Sequence, residues 1–169
     1  VSQGILKQIR EEYSKIRNTF RYLLGNINDF NYKTDAVALK DMEELDQWIV
    51  LKLHKLLEKV NQAYEDCEFH VVYHAVHNFC NVDLSAFYVD IVKDRLYCEA
   101  ADDKGRRSCQ TALYEICLAL AQIMTPILSF TTEEVWKYFP KEDKELSIQL
   151  SGWPQVNPEA FDEQLEAKW

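Results

Sequence analysis

Glycine and proline are scarce, with four of each in 169 residues. A fold built from many short strands needs frequent turns, and a chain so poor in turn formers points instead to long helices. Positive charge is also short: 19 Lys and Arg stand against 28 Asp and Glu, a net charge of −9. Taken alone, that balance argues against a nucleic-acid partner. The five cysteines (67, 80, 98, 109 and 117) are odd in number and form no CxxC pair, which leaves reduced, mostly buried thiols of a cytoplasmic protein. No apolar run is long enough to span a membrane, and no signal peptide is expected. A Gly-rich phosphate loop, HExxH and GxSxG are all missing, so no catalytic residue is assigned. The first residues are Val1-Ser2 rather than Met, as expected of a fragment cut from a longer protein.

What is abundant is apolar and aromatic surface, including four Trp, nine Tyr and eight Phe. Residues 70–97 organise the rest. From His70 to Val89 one charge occurs, Asp83, and neither Gly nor Pro. As a helix this stretch would be roughly 40 Å long and apolar on most sides, so it needs neighbours on most sides. It reads as the central rod of an all-α bundle of four to five main helices. Beyond Asp90 the charges return, and the rod's end is expected to leave the core. Asp83 lies on the apolar side and needs a partner; Arg21 is one candidate.

Residues 2–24 form an amphipathic helix with Ser2 as its N-cap and Gly25-Asn26 as its stop. Lys7, Arg10, Ser14, Arg17 and Arg21 share one stripe about 120° from the apolar centre, with no acid on it and Asn18 beside it. Residues 1–25 carry five basic and two acidic groups, about +3, so the remainder holds about −12. The average conceals a local basic feature.

A connector over 26–40 leads to a helix from about Asp41 to Tyr64, with Trp48 on its inner face. Ser108 to Met124 is another apolar helix, opened by Arg106 and Arg107 and ended by Pro126. Thr131 and Glu134 suggest a capping box, and Phe130 with Val135 a hydrophobic staple. Ser147–Leu150 alternates like a short strand. Asn157-Pro158 starts a last helix running to Trp169. The division is a bundle over 1–140 and an irregular extension over 141–169, packed on or leading out of it. His70, His74 and His77 share a face of the rod, but Asn81 and Ser85 continue the row, so a hydrogen-bonded polar seam is favoured over a metal site.

Several stretches carry a resemblance: Arg17-Asn18-Thr19-Phe20-Arg21-Tyr22-Leu23-Leu24-Gly25-Asn26, then Leu45-Asp46-Gln47-Trp48, then Tyr64 to His70, then Asp83 to Tyr97, then Pro126 to Trp136. In this order they resemble the helical anticodon-binding domain of bacterial-type isoleucyl-tRNA synthetases, which are class I enzymes. The resemblance implies a domain that holds the anticodon stem-loop of tRNA-Ile while a distant catalytic domain joins isoleucine to it. It implies ATP with Mg in the parent enzyme and zinc in a C-terminal segment. None of these groups is placed in this fragment. The partners implied are tRNA-Ile and the catalytic and C-terminal domains of the same chain, with no membrane. Asn18 and Arg21 match the family's Asn-x-x-Arg pattern. Arg10, Arg17, Asn18, Arg21, Tyr22, Trp48, Arg106 and Arg107 are the candidate tRNA contacts, the arginines for phosphates and the aromatics, with Trp153, for stacking. The alternative is a helical interaction or interdomain docking module that reads no bases.

Overall fold

The structure, a computed structural model, describes residues 2–169. The first helix, α1 (Gln3–Asn26), starts where Ser2 Oγ accepts the Ile5 N–H at 3.3 Å. It runs through Gly25 and closes at Ile27, whose N–H reaches the Leu23 carbonyl. A short helix α2 (Tyr32–Asp35) and a 3-10 turn (Leu39–Asp41) fill the connector. The break after Asp41 delays α3 to Glu44–Glu65. Cys67, at φ 57°, turns the chain into the rod.

The rod is helical throughout: α4 (Phe69–Asn78), a π-helical segment (Phe79–Tyr88) and α5 (Val89–Cys98). Val72, Val76, Cys80, Leu84, Tyr88, Val92 and Leu96 recur at a strict spacing of four, and all are buried. In an α-helix a spacing of four overshoots the turn by about 40° each time, so seven such residues could not share one face. A π turn holds more than four residues, so there the same spacing falls short of a turn and cancels the drift. The expectation that the rod's end leaves the core is therefore corrected: Val92 and Leu96 stay inside.

One buried carboxylate joins the elements. Asp46, fully buried, accepts from Tyr88 Oη at 2.6 Å, from Arg95 Nη1 and Nη2 at 2.9 Å each, and from Ser108 Oγ at 2.5 Å. Burial works against the Arg95 charge, but the Asp46 bonds outweigh it and raise the guanidinium pKa.

Helix α6 (Lys104–Met124) opens a turn earlier than its apolar pattern, because Asp103 Oδ1 accepts from Gly105 and Arg106 N–H. Helix α7 (Ser129–Tyr138) also opens early, at Ser129. That overturns the capping box and the staple: Phe130 is 95% exposed, and Thr131 Oγ1 instead meets Tyr13 Oη at 3.0 Å. Ile148–Leu150 is a 3-10 turn rather than a strand. The terminal helix is broken into a turn (Pro158–Ala160), begun at Asn157, and α8 (Glu163–Lys168), capped by Asp162.

The C-terminal segment lies back along α3. Trp153 Nε1 donates to Asn61 at 2.7 Å, Asn157 N–H to His54 Nδ1 at 3.1 Å, and Lys55 pairs with Glu166 at 2.5 Å. Lys168 and Trp169 both reach Glu44. Among the described residues no helix is long and apolar enough to cross a membrane.

Candidate nucleic-acid interface

The outer side of α1 carries the stripe read from the sequence. Arg10, Arg17 and Arg21 are exposed, and among the described residues no carboxylate lies within 4.0 Å of any of them. Three long cations held apart from internal partners keep their hydrogen-bond capacity for an external anion. Lys7 sits 4.0 Å from Glu11, and both are exposed.

Arg17 and Arg21 overlook a cleft of about 840 Å³ between α1 and α7. Its floor is apolar, with Phe20, Leu24 and Val135. Its rim holds Tyr13, Phe130 and Tyr138, the last two 95% and 70% exposed. Glu134 also lines the cleft, but its carboxylate is paired with Lys137 at 2.8 Å. Guanidinium groups beside exposed rings above an apolar floor suit a strand whose phosphates and bases point different ways.

The other flank of α1 holds a smaller cleft, about 450 Å³, lined by Asn18, Arg21, Tyr22, Asn26 and Tyr97. Tyr97 is 65% exposed. The Tyr22 hydroxyl is buried with no hydrogen-bond partner, and burial raises its pKa. Arg21 and Gly25 border both clefts. Gly25 has nothing within 4 Å of where a Cβ would stand, so a ligand can cross the crest of α1 there without a side chain in its way.

Arg17, Asn18, Arg21 and Tyr22 are thus brought together, with Arg10 two turns toward the N-terminus. The other candidates lie elsewhere. Arg106 donates to Asp29 at 2.8 Å and to the Leu96 carbonyl. Arg107 pairs with Asp35 at 3.4 Å and donates to the Asp29 carbonyl. Burial pushes the Asp29 carboxyl up, but its bonds from Arg106 and Gln110 outweigh that and hold it below its ordinary value. These two arginines fasten the connector onto α6. Trp48 is buried edge-on against Phe87, 4.9 Å between centroids, where no base can stack on it. Asp83 pairs with Lys52 at 3.9 Å and not with Arg21.

Sequence reasoning missed Tyr13, Tyr97, Phe130 and Tyr138. One signal was available. Phe130, Glu134 and Tyr138 follow at a spacing of four on a face with a charge at its centre, an odd setting for core aromatics.

A family model described as "Anticodon-binding domain of tRNA ligase" matches residues 46–169. The chain belongs to that family. The match begins at the buried Asp46, so α1 and its stripe lie before it. The similarity to individual relatives covers α1 as well. An isoleucine–tRNA ligase of Moorella thermoacetica is 56% identical over 169 residues, 99% of this chain. Those of Desulforamulus reducens and Desulforudis audaxviator are 54% and 51% identical over the whole chain. The chain spans 18% of the length of each. Within this anticodon-binding domain, both clefts are bordered by α1 on one side and by elements inside the family match on the other: α7 for the larger, Tyr97 of α5 for the smaller.

Proposed function

We propose that this chain is the tRNA-binding part of an isoleucine–tRNA ligase. It grips the anticodon stem-loop of tRNA-Ile through α1 and so aligns the distant acceptor end for ATP-dependent aminoacylation by a catalytic domain of the same parent chain. The observation that carries this reading is the pair of unpartnered arginines, Arg17 and Arg21, beside the exposed rings of Phe130 and Tyr138. The choice of isoleucine follows the relatives, which are isoleucine–tRNA ligases. Arg10 and Arg17 would take phosphates, Asn18 and Arg21 base edges, and Tyr97, Phe130 and Tyr138 the base faces. A cytoplasmic location belongs to the same proposal.

The ATP, Mg and zinc of the parent enzyme would be held by other parts of it. Among the described residues no group of three or more His, Cys, Asp or Glu side chains could hold a metal. Cys80, Cys109 and Cys117 are buried apart from the exposed Cys67 and Cys98.

The test is a titration with the isoleucine anticodon stem-loop and an anticodon-swapped copy, at two salt concentrations. Cognate preference that weakens with salt supports base reading here. Arg17→Ala with Arg21→Ala should abolish it with melting unchanged. Equal affinity for both RNAs would sink base reading, and binding to neither would sink the grip itself.

A second reading draws on Ile5, Leu6 and Ile9, each about half exposed on the first turns of α1. Three aliphatic side chains in a row suit docking against another domain of the parent chain. A loss of stability in the arginine variants would favour it.

A further inference from the structure

A third groove, about 440 Å³, runs between α3 and the rod, and its lining includes the Asp83 carboxylate. Lys52, Lys55 and Lys59 line one wall, three and four residues apart and so on one face of α3. His70 and His74 line the other. The polar seam expected along the rod is only partly formed: His77 bonds to Asn81, whereas His70 and His74 hydrogen-bond to no protein group among the described residues.

The charges decide what the groove can accept. Lys52 lies 3.9 Å from Asp83, a long pair, and 5.6 Å from the Trp48 ring centre. Lys55 is taken up by Glu166. Lys59 has no carboxylate within 4.0 Å among the described residues. One ammonium without a carboxylate partner among the described residues and two imidazoles therefore line the same groove, beside two ammoniums that Asp83 and Glu166 already pair. Such a set offers N–H donors to an oxyanion.

We propose that this groove binds phosphate oxyanions, with Lys59, His70 and His74 as the direct donors. The phosphate comes either from an RNA backbone or from a free polyphosphate. The RNA source rests on the function proposed above; the free source does not.

The experiment follows the imidazole NMR signals of His70 and His74 in the 169-residue chain. Pyrophosphate, the anticodon stem-loop and sodium chloride at matched ionic strength are titrated separately. Saturable shifts with pyrophosphate but not chloride are expected, and Lys59→Gln with His74→Gln should remove the shift of the remaining His70 signal while melting stays unchanged. If RNA is the source, the stem-loop moves the same signals, and the double variant lowers the exponent of the salt dependence by about one. If only pyrophosphate moves them, the site serves a free phosphate. Arg17→Ala with Arg21→Ala must leave the pyrophosphate titration intact, so failure of the α1 reading is distinguishable. Signals that move with neither phosphate source, or a double variant that titrates like the parent chain, overturn the proposal.

Discussion

At position 46 one carboxylate accepts four hydrogen bonds from the π segment, α5 and α6. Removing it leaves the Arg95 guanidinium half-buried without its anion. Asp46→Ala should cost about 3–5 kcal/mol of unfolding free energy, measured by urea denaturation. Two aromatic substitutions should separate core from surface. Trp48→Ala should lower stability by about 3–5 kcal/mol. Phe130→Ser should leave melting unchanged and weaken stem-loop binding by about 1–3 kcal/mol, the worth of one stacked base. Residue by residue, the arginines of α1 were legible because their periodicity sets them apart from the apolar face. Asp46 was not: it is one of four acids over residues 41–46, and its own partners stand 42 to 62 residues away. The pairing of Arg106 and Arg107 was hidden for the same reason, since Asp29 and Asp35 meet them only in the folded chain.

For single elements, the helical periods of α1, α3 and α6 were readable, and their boundaries less so. The rod shows why. Turned at a fixed angle per residue, its apolar positions spiral around the axis and suggest a helix that is greasy everywhere and then departs. The widened turns between Phe79 and Tyr88 bring those positions back into register, and nothing in residue type alone announces a change of pitch. The C-terminal segment offers a test through His54. Burial holds this imidazole below its ordinary value, so the fold favours the neutral ring, whose Nδ1 accepts the Asn157 N–H. Its contribution is complete above the ordinary histidine value of about 6.5 and is lost as pH falls toward the lower folded value. The difference in Tm between the parent chain and His54→Gln should therefore shrink as pH is lowered from roughly 7.5 to 5.

Over the whole molecule, a net charge of −9 and an outward basic helix must coexist. The acidic surface repels a polyanion at long range, and the stripe on α1 attracts it at contact. Affinity of this chain alone should be weak and fall steeply with added salt, measurable as a straight line of log affinity against log salt. The order of family-like segments along the chain was legible at this scale. The two clefts were not, because each is assembled from α1 and an element far away in sequence. The return of the last residues along α3 has a mechanical side. Its fastenings, at Glu44, Lys55, His54 and Asn61, are met almost one by one from the carboxyl end. Pulled from that end, the strap would come away like a zipper, each fastening bearing the load in turn. A force–extension trace should show small early steps before the single large event in which the bundle itself gives way.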